Sequence, residues 1–130
     1  MFISALLKKD SLSRDIIINS GHIFIFPEYI FHEIYKHKEY LLNKSGYSEV
    51  EFIQATSSLL RHMKIARHFE ICYYLNEAYK IIGKVDPDDT IFISAALAFN
   101  CPIWSDDKHF LKQNVIKILT TKEMIELNKI

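Results

Sequence analysis

At 130 residues the chain has the size of one domain, and 49% hydrophobic content supplies a core, which argues against a disordered tract. Sixteen basic residues balance sixteen acidic ones, so no global positive field attracts nucleic acid and any such role falls to a local patch. Two cysteines in unrelated apolar contexts, Cys72 and Cys101, read as small core residues and argue against a disulfide framework or a zinc site.

Only three glycines and three prolines punctuate the chain, so long regular elements are expected, with no repeat, no low-complexity tract and no linker dividing residues 1–130 into separate domains. Phe2–Leu7 is apolar and helix-compatible. Ser11–Asn19 continues as helix and breaks at Gly21. His22–Phe26 (HIFIF) reads as a buried strand. Pro27 suits the first turn of a helix that runs through PEYIFHEIYKHKEYLL toward Gly46. Ser48 and Glu51 form a capping box, opening a helix to about His62. Met63–Ala66 is a weak strand candidate, and Phe69–Ile82 has helical spacing up to Gly83. Asp86 and Pro87 read as an N-cap and the first helical position, ahead of a helix reaching Phe99. Cys101–Ser105 and Val115–Leu119 are strand candidates, and Thr120 with Glu123 repeats the capping-box pattern before a terminal helix. The alternation of strands and helices predicts an α/β fold: a three-layer α/β/α sandwich around a mostly parallel sheet. No apolar run approaches a membrane span. MFISALLKKD lacks the charge order of a signal peptide, which fits a cytoplasmic protein.

The acids hold most of the chemistry. Glu33 shares a helical stripe with Ile30, Ile34 and His37, and its plain explanation is a partly exposed glutamate paired with His37 or Lys36. Asp86, Asp88 and Asp89 open a helix, where acids favour the helix dipole by about 0.3–1 kcal/mol each. Three acids in four positions exceed what a cap needs, and Asp89 leans toward the core with Phe92, Ile93 and Ala96. Asp106 and Asp107 follow an apolar strand, at the carboxyl edge where α/β sheets place their sites. Turn chemistry explains one of them well and two adequately. Ser105 either caps that turn or hydrogen-bonds a neighbouring carboxylate or a metal-bound water. A divalent cation is the simplest partner for acids gathered beside apolar elements. Of the six histidines only His32 and His37 approach a ligand spacing, off by one for a shared helix face, and all six read as structural or surface residues.

Asp89-Thr90-Ile91-Phe92-Ile93-Ser94-Ala95-Ala96, followed by Ile103-Trp104-Ser105-Asp106-Asp107 and Phe110, resembles the C-terminal half of PIN domains, including VapC-type toxins and stand-alone prokaryotic relatives. The phrase PEYIFHEI places Glu33 where that family has its second acid. The resemblance implies a ribonuclease that hydrolyses RNA phosphodiester bonds with Mg²⁺ or Mn²⁺. It makes Glu33, Asp89 and Asp107 catalytic metal ligands, with Asp86, Ser105 and Asp106 supporting them. Candidate partners are RNA, an antitoxin-like protein and a second copy of the chain. Lys8, Lys9, Lys36, Lys38 and Lys108 are candidates for a phosphate path. One departure stands out. PIN domains open with a central strand ending in Asp-x-Asn, and this chain begins at what looks like the following helix, so that strand and its aspartate are missing. The strands at His22–Phe26 and Pro102–Ser105 would flank its place. An earlier gene start, direct pairing of those two strands, or a strand donated by another chain would each fill the gap. The alternative function is a catalytically degenerate PIN fold that binds RNA or protein. A receiver-like or phosphatase-like domain is disfavoured because no aspartate follows HIFIF.

Overall fold

The computed structural model describes residues 12–127; the helix expected over Phe2–Leu7 lies outside them. The chain folds into two compact units. Among the described residues, one takes in 12–25 together with Tyr29–Lys64, and the other takes in Phe26–Glu28 and 65–127.

The first unit is mainly helical. Helix α1 (Leu12–Asn19) buries Ile16 and Ile17, and it ends before Gly21, whose φ of +78° is left-handed. Helix α2 (Tyr29–Lys36) buries Ile30 and Ile34, and α3 (Lys38–Ser45) buries Leu41. The sequence pattern predicts a single helix here. The backbone instead bends at His37 (φ −104°, ψ 13°) while keeping its ladder bonds to Glu33 and from Leu41. Gly46 closes α3 in the left-handed conformation (φ 74°), the usual glycine C-cap. Helix α4 (Glu49–Leu60) opens on the expected capping box. Glu51 N donates to Ser48 Oγ at 3.1 Å, and Ser48 N donates to Glu51 Oε1 at 3.2 Å.

Strand β1 (Phe24–Pro27) pairs with β2 (Met63–Ala66). Pro27 ends the strand rather than starting the helix; it has no N–H to give, and Glu28 N continues the pairing by donating to Ala66 O at 2.9 Å.

The second unit holds a compact hydrophobic cluster. Helix α5 (His68–Ile71) passes through a 3₁₀ turn (Cys72–Tyr74) into α6 (Leu75–Ile82). Periodicity predicts one continuous helix over Phe69–Ile82. The buried hydroxyl of Ser94 donates to Ile71 O at 2.6 Å, taking the carbonyl that a continuous helix would offer to Leu75 N, which donates to Cys72 O instead. Cys72 consequently lies exposed on this turn and not in the core as expected, while Cys101 is half-buried. Helix α7 (Thr90–Phe99) packs Ile93 against Ala78 and Ile82 of α6 and against Phe110; Phe92, Ile103, Ile116 and Ile118 extend the cluster. Strands β3 (Ile103–Trp104) and β4 (Ile118–Leu119) are parallel, with Ile103 opposite Ile118 and Trp104 opposite Leu119. Helix α8 (Thr121–Leu127) starts on the second expected capping box, Thr120 with Glu123.

Helices with short parallel strands give the α/β class expected from the alternation. Among the described residues the strands form two two-stranded ladders, β1–β2 and β3–β4, where one sheet was expected. No ladder joins β1 to β3, so direct pairing of those two is not the arrangement.

Candidate metal centre

The site is built at the entrance to α7. Asp86 takes an extended conformation (φ −153°, ψ 105°) and caps a 3₁₀ turn at Pro87–Asp89, with its Oδ1 accepting from Asp88 N at 3.0 Å. Pro87 supports the turn because its fixed φ suits the first position and its absent N–H is not missed. That cap occupies one oxygen of Asp86 and leaves Oδ2 for another partner. Asp89 sits at the junction of the turn and α7, only 8% exposed. Its side chain makes no capping bond, and its Oδ2 is buried without a hydrogen-bond partner. Such a group is expensive to keep charged. Burial pushes its pKa from 3.8 up to about 6, the carboxylates of Asp86, Asp107 and Asp88 add to the rise, and His109 offsets part of it.

The second half of the site comes from a 3₁₀ turn at Lys108–Lys112, which the sequence pattern did not suggest. Asp107 caps it, accepting from His109 N at 2.9 Å through Oδ1. Ser105 Oγ in turn accepts from Asp107 N at 3.0 Å, so Ser105 is seen here as a turn cap. Phe110 anchors the turn: it is buried in the hydrophobic cluster and meets Phe92 edge-on, with ring centroids 6.4 Å apart. The adjacent His109 then brings Nδ1 to 3.1 Å from Asp86 Oδ2 and 3.8 Å from Asp107 Oδ1. One carboxylate oxygen each from Asp86 and Asp89 and a ring nitrogen of His109 all lie within 4.8 Å of one another.

These residues fit a divalent cation. Two carboxylates and an imidazole are donors that a cation coordinates, and the orphaned oxygen of Asp89 is the group most in need of one. Asp86, expected in a supporting role, is thus a member of the cluster itself. His109, expected as a structural or surface residue, joins it too; the Asp-x-His spacing in SDDKHF, where an aspartate cap bonds the backbone two positions on, is a partial signal for the turn that carries it.

The other expected residues lie as follows. Asp106 is taken up by α8: Oδ1 accepts from Thr121 N at 2.8 Å and Oδ2 from Thr121 Oγ1 at 2.6 Å. Those bonds hold its pKa below the ordinary 3.8. Thr121 Oγ1 also accepts from Trp104 Nε1 at 3.0 Å, which ties β3 to the same helix. Glu33 belongs to α2 of the first unit, where its Oε2 lies 3.4 Å from His37 Nε2, the partner expected for it on plain grounds. Lys38 is paired with Glu49 at 3.1 Å.

An α/β domain with an acidic cluster at a helix entrance, able to hold a cation, has the makings of a metal-dependent nuclease-type protein. Residues 1–128 match the PIN domain model, and the chain belongs to the PIN domain family. No curated protein and no solved structure matches the chain. Membership brings a nuclease-type function and the divalent-metal dependence general to such domains. Among the described residues no helix is long and apolar enough to cross a membrane.

Proposed function

We propose that this chain is a ribonuclease that hydrolyses RNA phosphodiester bonds with a divalent cation held at the entrance of α7. The observation that carries the proposal is Asp89: a carboxylate buried among other acids, with an oxygen that no protein group satisfies. A carboxylate so placed is stable when it meets a cation and poorly tolerated when it does not. A divalent ion bound there supplies charge neutralisation at the phosphoryl group and a more acidic water.

The chain's own residues then divide the work. Asp89 and Asp86 hold the cation, and the capping bond that Asp86 Oδ1 accepts from Asp88 N keeps its other oxygen directed to the cluster. Asp107 adds negative potential and fixes the turn that bears His109. Lys108, between Asp107 and His109 in sequence, is the cation proposed to meet a backbone phosphate. Glu33 enters this proposal from its match to the family's second acid. The VapC-like resemblance adds a homodimer and an antitoxin-like partner, and light scattering on the purified chain tests the former.

Cleavage of a labelled single-stranded RNA in Mg²⁺ or Mn²⁺ tests the proposal. Wild type cuts, EDTA stops it, and Asp89→Asn and Asp107→Asn each abolish cutting while the far-UV spectrum is unchanged. Glu33→Gln is expected to lose activity as well, and full activity in that variant removes Glu33 from the assignment. Full activity in Asp107→Asn refutes the assignment of that residue. RNA retained on the protein without cleavage in either metal gives the binding-module alternative instead.

A further inference from the structure

We infer that His109 is a direct nitrogen ligand of the bound cation, and that the site therefore selects Mn²⁺ and later first-row divalent ions over Mg²⁺. This rests on the metal-dependent reading above and specifies the ion.

Three observations carry it. The first is the donor set, with Asp86, Asp89 and His109 contributing one ligand atom each, mutually within 4.8 Å. The second is the state of one of those donors and does not depend on the distances: Asp89 is 8% exposed, and its Oδ2 has no hydrogen-bond partner. A protein-only arrangement leaves this oxygen unsatisfied, and a cation beside it resolves the deficit. The third is the separation of 3.1 Å between Asp86 Oδ2 and His109 Nδ1. Adjacent ligand atoms of an octahedral ion with bonds of about 2.1 Å lie about 3.0 Å apart. This pair is therefore already at the edge length that a small divalent ion imposes, and Asp89 lies within reach of the same ion.

The imidazole is held there by structure and not by chance. His109 N is bonded to Asp107 Oδ1, and the next residue, Phe110, is fixed in the hydrophobic cluster. These contacts fix the backbone of the turn from which the ring projects toward Asp86. Mg²⁺ is a hard ion that keeps oxygen ligands and gives up water reluctantly, whereas imidazole suits the first-row transition ions. Substituting one nitrogen into an otherwise carboxylate site shifts preference away from Mg²⁺. The competing explanation of the 3.1 Å separation is an imidazolium–carboxylate pair that binds no metal through nitrogen.

Mn²⁺-loaded full chain distinguishes the two by electron spin echo envelope modulation, which detects ¹⁴N bound to the ion, alongside calorimetric titration of MnCl₂ and MgCl₂. We expect nitrogen modulation in the wild type and Mn²⁺ binding tighter than Mg²⁺ by about tenfold or more. His109→Asp, an all-oxygen set at an exposed position, should still bind both ions, lose the modulation and narrow the gap to a few-fold. Mn²⁺ binding without nitrogen modulation overturns the inference and leaves the metal-dependent reading standing. Modulation that persists in His109→Asp also overturns it, by assigning the nitrogen to another histidine. Failure of the wild type to bind either ion at millimolar concentration removes the reading and the inference together.

Discussion

Asp89 is the residue at which stability and chemistry oppose each other. Its pKa in the fold is about 6, against an ordinary 3.8. The folded chain therefore holds this proton more tightly than the unfolded chain does. The contribution of Asp89 to metal-free stability is full below about pH 4, is lost as the pH rises toward 6, and stays lost above it. At about 1.4 kcal/mol per pKa unit the deficit is about 3 kcal/mol. Asp89→Asn, which removes the charge and keeps the shape, should raise metal-free stability at pH 7.5 by about 1–3 kcal/mol in urea denaturation and flatten the dependence between pH 4 and 6. An unchanged midpoint would contradict the burial argument. Asp106 has the opposite sign. Its pKa is lowered by Thr121, so its contribution is present above the ordinary carboxylate range and is lost as the pH falls through it. Asp106→Ala should cost about 1 kcal/mol, through the two bonds to Thr121 and not through the cluster.

What the sequence made legible among the elements was local chemistry. Both capping boxes, the glycine at the end of α3 and the Asp86-Pro87 start are recorded in neighbouring residues, and all four appear where the pattern puts them. The breaks were not legible, because distant residues make them. The 3₁₀ turn at Cys72–Tyr74 depends on Ser94 reaching Ile71 O across 23 positions, and no helical periodicity contains that. Ser94→Ala should cost about 1–3 kcal/mol in urea denaturation, since it leaves a buried carbonyl unpaired. Ser48→Ala should cost about 1 kcal/mol by the same measure, as a lost N-cap. The candidate site divides in the same way. Asp86, Asp88 and Asp89 stood out as more acid than a cap needs, and Asp107 through its place just past an apolar strand. His109 did not, because its place depends on a short turn pinned by the burial of Phe110.

For the chain as a whole, the α/β class was legible from the alternation of apolar runs and helical stretches, while the pairing of its strands into two ladders was set by long-range packing that periodicity does not encode. Equal numbers of acidic and basic residues leave no global field to hold RNA, so under the proposed function recognition would rest on the neighbourhood of the site and on the charge brought by the cation. Binding only to the folded state also makes global stability depend on metal. At a Mn²⁺ concentration about 100 times the dissociation constant the gain is about 2.7 kcal/mol, seen as a rise in melting temperature. The gain should vanish in Asp89→Asn. The most direct measurement is therefore calorimetric titration of Mn²⁺ into the metal-free wild type and into Asp89→Asn at pH 7.5. We predict one saturable site in the wild type and none in the variant, with both folded. Equal binding by the two proteins, or no binding by either at millimolar ion, would contradict the placement of a cation at Asp89.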